Sequence, residues 1–282
     1  MITPFQALAC PLDGAPLHCS GSTWRCAAGH SFDIASQGYT NLLPVQHKRS
    51  RDPGDSKDMV AARRDFLNLG FYQPIAAAVS QAALADWPAR ATLSCLDAGC
   101  GEGYYLRQLA AAAGARQSIA LLGLDISKWA VLSAAKQDKQ PNWLVGSNAK
   151  LPVLSGSLDR LLCMFGFPVY GEFARVLKPA GLLLQVDAGP DHLRELRQII
   201  YPTLKPERTG APQTPDGFTC LSSETVNYRL DLTGAVQIAI LLAMTPHLYR
   251  ASAEGRAKAA ALTTLSVTVD VRLTRFRRQT TR

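Results

Sequence analysis

The sequence predicts an α/β chain, built on a doubly wound and mostly parallel sheet, with a small cysteine-containing unit in front. Three observations carry this expectation. Between about residues 90 and 190, short apolar runs alternate with helical stretches in a β-α-β-α-β pattern. The first apolar run breaks into the glycine-rich segment LDAGCGEG at 96–103, at a strand-to-helix turn. The first 45 residues lack helical periodicity and are rich in Gly, Cys, Pro and Ser.

Length and charge narrow the function classes. The 282 residues suit one main domain with a satellite, and 30 Lys+Arg against 22 Asp+Glu leave a net charge of +8. The positive residues concentrate in QHKRSR (46–51) and RLTRFRRQTTR (272–282), which suits a polyanionic partner. MITPFQALAC has neither the basic start nor the apolar run of a signal peptide, and no uncharged apolar stretch reaches spanning length, so a cytoplasmic protein without membrane contact is expected. Seven cysteines at irregular spacing then read as reduced thiols or metal ligands.

The N-terminal segment (1–45) reads as short strands and turns that need a staple. Cys10 and Cys26 head two knuckle-like turns, His30 follows at ligand spacing, and Asp13 stands where a second cysteine is expected. Zinc accepts an Asp oxygen, so a Cys10–Asp13–Cys26–His30 site is chemically sound; Cys19 is the other candidate ligand. The competing reading is a metal-free unit held by Trp24, Phe32 and Tyr39.

Residues 46–57 form a polar, basic linker with a Pro53-Gly54 turn, and Asp55 or Ser56 caps a helix from Lys57 to about Leu69. A second helix runs from Pro74 to about Ala85. Strands are then expected at 92–99, 118–126, 142–148, 158–167 and 182–189, with helices between them; the last of these helices takes in GEFARVLKPAG. ETVNYRLDL and SVTVDVRLTRF alternate with period two, placing Val267, Val269, Val271 and Leu273 on one face of an antiparallel edge pair.

Chemistry centres on the glycine loop. Gly99, Gly101 and Gly103 let the backbone approach a ligand with no Cβ in the way. The loop reads G-x-G-x-G with Asp97 before it and Glu102 within it, which suits the positive end of S-adenosylmethionine better than a pyrophosphate. Asp125 ends the next strand about twenty residues on, where a carboxylate accepts both ribose hydroxyls, with Ile126 beside it. Ser147 and Asn148, after the third strand, are placed to meet the adenine edge or to form a local turn.

The combination of LDAGCGEG, GLDIS, Leu151-Pro152 and ARVLKPAG resembles the class I S-adenosylmethionine-dependent methyltransferases. HSFDIASQGYTNLLPVQHKRSRDPGDSKDMVAARRDFLNLGFYQPI (30–75), with AGPDHLRELRQIIY and AMTPH further on, is similar to the bacterial 23S ribosomal RNA guanine-N1 methyltransferases. The resemblance implies a Rossmann-like domain with a mixed, mostly parallel seven-stranded sheet, joined to a small zinc-ribbon-like domain. The divisions expected are 1–45 for the RNA-binding zinc unit, 46–89 for the linker and helices, and 90–282 for the methyltransferase.

It further implies cofactor contacts at Tyr72, Gly101, Glu102 and His192, and three retained zinc ligands with Asp13 replacing cysteine. The implied substrate is a guanine of the 23S rRNA helix 35 hairpin, and HKRSRDPGDS looks like the guanine-745 branch rather than the guanine-748 one. A homodimer is implied as well. His47, Lys48, Arg49 and Arg51 are the expected RNA contacts, with Arg63 and Arg64 either joining them or forming a solvated basic face. FGFP (165–168) departs from the family's Tyr-Ala-Pro on the target-base side, and no catalytic base is assignable from sequence. The alternatives are a small-molecule methyltransferase and a non-catalytic RNA-binding module.

Overall fold

In the computed structural model, residues 1–47, 50, 52–88, 91–203 and 213–280 are described. The N-terminal strands are β1 (Ile2–Thr3), β2 (His18–Ser20), β3 (Thr23–Arg25), β4 (Ser31–Asp33) and β5 (Tyr39–Asn41). Helices α1 (Lys57–Asn68) and α2 (Gln73–Leu84) follow. Ser56 caps α1 by accepting the Met59 N–H at 3.3 Å, and Val60, Phe66 and Leu67 are its buried face.

Strands and helices then alternate: β6 (Leu93–Ala98), α3 (Tyr104–Ala113), β7 (Ile119–Asp125), α4 (Lys128–Gln137), β8 (Asn142–Val145), β9 (Leu158–Met164), α5 (Tyr170–Val176) and β10 (Leu177–Ala188). After α6 (Arg194–Ile200) comes the long strand β11 (Phe218–Thr233). Helices α7 (Ala235–Met244), α8 (His247–Arg250) and α9 (Ala253–Ala260) precede β12 (Thr264–Arg278).

The main sheet runs β11-β12-β10-β9-β6-β7-β8-β5, with β1 alongside β7. Seven of these strands form the expected sheet, parallel from β8 to β10 and closed at one edge by the antiparallel β12 and β11. Strand order reverses at β6, so the C-terminal ends of β6 and β7 open a crevice at the topological switch point. Val267, Val269, Val271 and Leu273 are buried on one face of β12, as their alternation predicts.

The sequence does not announce the two extra strands. β1 and β5 come from the N-terminal segment and pair in parallel with β7 and β8. Phe5, Leu8, Leu17, Trp24 and Leu42 share one apolar core with Leu96, Leu122, Leu144 and Val153 of the main sheet and its loops. The small three-stranded sheet β2-β3-β4 therefore rests on a base that belongs to both units.

Element ends need correcting. The helix expected through LKPAG stops at Val176, and Lys178-Pro179-Ala180-Gly181 is a bulged stretch of β10, with Ala180 at φ +62° and a register shift between Leu177 and Leu182. Strand β8 ends at Val145 and β9 at Met164, short of the expected 148 and 167; after β9 the chain turns at Phe165, whose φ is +53°. Among the described residues no helix is long and apolar enough to cross a membrane.

Candidate functional site

The crevice is floored by the turn from β6 into α3. Gly99, Gly101 and Gly103 all have positive φ (+96°, +55° and +85°), which forces glycine there. They do not serve alike. Space beyond Gly99 is open, and a Cβ on Gly101 would meet only the Arg63 side chain at 3.9 Å, so these two leave room for a ligand. A Cβ on Gly103 would fall 2.5 Å from the buried Trp143 ring, so this glycine and Gly123 make room for the tryptophan instead.

Three carboxylates surround the loop in different states. Asp97 is buried with neither oxygen partnered, and burial together with the nearby Asp125 charge pushes its pKa up to about 8. Asp125 accepts the Gly101 N–H at 2.9 Å and the Ser127 N–H at 2.8 Å, which ties the end of β7 to the glycine loop and leaves lone pairs free. Burial raises its pKa, against the lowering effect of those two N–H groups. Glu102, read from sequence as part of the ligand-facing loop, spends one oxygen on Arg107 (2.8 Å) and Gln137 (2.6 Å) and so anchors the loop to α3 and α4.

At the end of β8, Ser147 forms a local turn, its Oγ accepting the Ala149 N–H at 3.2 Å. Asn148 donates to the Ala98 carbonyl at 3.5 Å, and its Oδ1 is buried without a partner among the described residues. Ile126 is half-buried against the linker, whose Gly54 approaches it closely.

Across the crevice, Tyr72 at the start of α2 and His192 after β10 meet, with Oη 3.2 Å from Nε2. Phe165, which follows β9 with φ +53°, lies against both, its ring centroid 6.1 Å from that of Tyr72 and 5.8 Å from that of His192. A left-handed phenylalanine is a strained conformation held by its neighbours. Phe167, two residues on, is 89% exposed.

The four proposed metal ligands converge. Cys10 Sγ and Cys26 Sγ lie 3.5 and 3.4 Å from His30 Nδ1, while Asp13 Oδ2 lies 3.4 Å from Cys26 Sγ and 3.1 Å from His30 Nδ1. All four donor atoms fall within 4.8 Å of one another. Tetrahedral metal bonds of roughly 2.0–2.3 Å put ligand atoms about 3.3–3.8 Å apart, so the set fits zinc. Two tight turns build it: Gly14 N–H donates to the Cys10 carbonyl at 2.8 Å, and Gly29 N–H to the Cys26 carbonyl at 3.0 Å. The Ala15 N–H on the other Asp13 oxygen (2.9 Å) holds that carboxyl at about 2, ionised and ready to ligate. Cys19 is exposed and outside the cluster.

Of the expected RNA contacts, Lys48, Arg49, Arg51 and the His47 side chain lie outside the described residues. Arg64 pairs with its neighbour Asp65. Arg63 is turned inward, pairing with Asp55 and donating to the Met244 carbonyl at 3.0 Å. Sequence reasoning missed Arg63, Asp55 and Ser127 as parts of the crevice; only the nearness of the Pro53-Gly54 turn to a helix start hinted at them.

Comparison with known proteins agrees with this arrangement. Residues 8–51 match the model of the RlmA N-terminal zinc ribbon, and residues 95–181 match a methyltransferase domain. A Micromonospora griseorubida protein provisionally named 23S rRNA (guanine-N(1)-)-methyltransferase is 34% identical over 96% of this chain and 97% of its own length. The Bacillus subtilis protein YxjB, provisionally given the same name, is 31% identical over 95% of each chain. The Streptomyces fradiae 23S rRNA (guanine(748)-N(1))-methyltransferase is 35% identical over 67% of this chain and 66% of its own. With a ligand-ready glycine crevice, four converging metal donors and similarity along nearly its whole length, the chain belongs to the 23S rRNA (guanine-N1)-methyltransferase family.

Proposed function

We propose that this protein methylates N1 of a guanine in 23S rRNA, at position 745 in the helix 35 hairpin, using S-adenosylmethionine. The observation that carries the reading is the unpartnered Asp97 carboxylate beneath an open glycine loop, a buried acceptor that a cationic ligand satisfies. Gly99 and Gly101 give that ligand room, Asp125 and Ile126 take its ribose, and the free Asn148 Oδ1 suits the amine of adenine. Tyr72 and His192 close the methionine end.

When bound, the cofactor supplies a methyl group made electrophilic by its sulfonium. The chain's own residues position and shield the reaction. Tyr72, Phe165 and His192 would form the aromatic wall that shields the methionine end and the incoming guanine, and the bound cofactor would give its methyl to N1 and leave as S-adenosylhomocysteine, with the N1 proton passing to solvent. His192 is a positioning residue here, since both of its ring nitrogens are already engaged.

The zinc unit and the basic linker at 46–51 serve RNA capture, and two copies of the chain present two zinc units to one hairpin. Primer extension across helix 35, with and without the gene, tests the reading because N1 methylation blocks Watson–Crick pairing. A gene-dependent stop at guanine 745 is expected. A stop at 748 moves the protein to the other branch, and no gene-dependent stop overturns the proposal.

A further inference from the structure

Arg63 runs across the glycine loop from α1, its Cδ and Nη1 lying 3.9 and 4.0 Å from where a Cβ on Gly101 would stand. Its partner, Asp55, belongs to the linker. That linker is pinned to the end of β7: Ser127 Oγ donates to the Asp55 carbonyl at 2.7 Å, and a Cβ on Gly54 would fall 2.9 Å from both Ile126 Cγ2 and Ser127 Cβ. The linker thus delivers one carboxylate to one guanidinium at the lip of the crevice.

We propose that Arg63 receives the α-carboxylate of the cofactor's methionine end, and that Asp55 stands in for that carboxylate while the crevice is empty of cofactor. The inference rests on the cofactor reading above and names a residue that the sequence had offered to RNA. Charge makes the argument. The methionine end carries an ammonium and a carboxylate, and the crevice already holds Asp97 and Asp125. With Asp125 and, once it meets the ammonium, Asp97 both ionised, a further carboxylate enters such a place only against a cation. Of the two arginines that flank the loop, Arg107 is committed to the fully buried Glu102 carboxylate and to the Glu102 carbonyl (2.6 Å).

Arg63 is better placed for exchange. Its partner Asp55 sits on a loop with 30% of its side chain exposed, and the guanidinium fork accepts any carboxylate in the same geometry. Replacing one carboxylate by another conserves the charge at the site. The buried Val60 and Phe66 hold α1 and hence the base of Arg63 in place throughout.

Two ligands separate this contact from the rest of the cofactor site. S-adenosylhomocysteine carries the carboxylate, whereas 5′-methylthioadenosine keeps the adenosine and lacks the amino-acid end. Calorimetry on the full-length protein is expected to show Arg63→Gln weakening S-adenosylhomocysteine by roughly ten- to a hundredfold, with methylthioadenosine within about twofold of wild type. Asp55→Asn, a weaker competitor, is expected to bind S-adenosylhomocysteine more tightly than wild type. The more conservative Arg63→Lys gives the same ratio test if Arg63→Gln folds poorly. Equal losses for both ligands, no loss for either, or an Asp55→Asn protein weakened as much as Arg63→Gln overturns the inference and leaves the cofactor reading intact. A wild-type protein that binds neither ligand overturns both.

Discussion

The Tyr72 hydroxyl and the His192 ring form one unit, 3.2 Å apart, and its polarity is fixed from behind. The Asp270 backbone N–H donates to His192 Nδ1 at 3.3 Å, so in the neutral ring Nε2 carries the proton and donates it to the Tyr72 oxygen. Tyr72 keeps its own proton for a ligand. Burial holds the His192 pKa down at about 4 and drives that of Tyr72 far above its usual range, so both are neutral at physiological pH.

His192 therefore links stability to pH. Its folded pKa lies below its unfolded one, so unfolded chains take up a proton first and stability falls as pH drops from about 6.5 towards 4. Urea titrations across that window are expected to show a loss of about 3 kcal/mol in wild type that His192→Gln lacks. Equal slopes in the two proteins would mean that the ring is not buried in its neutral form.

Asp97 works in the opposite sense. Its folded pKa, about 8, lies above that of an ordinary aspartate, so the native state holds a proton that the unfolded chain releases, and stability declines as pH rises from about 4 to 8. Asp97→Asn is expected to flatten that decline and to stabilise the ligand-free protein at neutral pH. The same variant is expected to bind S-adenosylhomocysteine at least tenfold more weakly. Wild-type affinity should rise between pH 6 and 8, as the carboxylate that meets the ammonium forms; calorimetry at several pH values checks both points.

The metal site predicts an order of affinities. Purified protein is expected to contain zinc by elemental analysis, and Asp13→Cys to hold it more tightly and melt higher, because thiolate is the better zinc donor. Asp13→Ala should lose metal and melt lower, while Cys19→Ser, outside the cluster, should match wild type. Metal-free protein whose melting is unchanged by Asp13→Cys in added zinc would mark the site as a relic.

Phe167 stands exposed on the loop after β9, two residues beyond Phe165 of the aromatic wall. Stacking of a nucleobase on such a ring contributes about 1–3 kcal/mol. Phe167→Ala is expected to raise the KM for the hairpin by about tenfold or more and to leave S-adenosylhomocysteine affinity unchanged, with Phe167→Tyr close to wild type. A Phe167→Ala enzyme with wild-type KM would show that the ring takes no part in base binding.

The parallel core and the antiparallel edge were legible because each strand is a separate apolar run with its own turn signal. Strands β1 and β5 were not, since two and three residues are too few for any period to register, and their pairing is decided by distant partners. The placement of Asp97 and Asp125 around the glycine loop and the convergence of the four metal donors could be read from spacing. The inward turn of Arg63 could not, because an arginine on a helix looks the same whether it faces solvent or a crevice. Nor could the ties of Glu102 Oε2 to Arg107 and Gln137 be read, because they depend on where α4 packs; its Oε1 is buried without a partner among the described residues.

Strands β1 and β5 also set an order of assembly during synthesis. Their partners in β7 and β8 follow about a hundred residues later, so the N-terminal segment leaves the ribosome with its strand edges bare. The metal ligands, by contrast, span only Cys10 to His30 and are complete almost at once. Zinc captured at that stage would close the two knuckles locally while β1 and β5 still wait for their partners. The metal site is thus closed by contacts within twenty residues, whereas β1 and β5 depend on partners far along the chain.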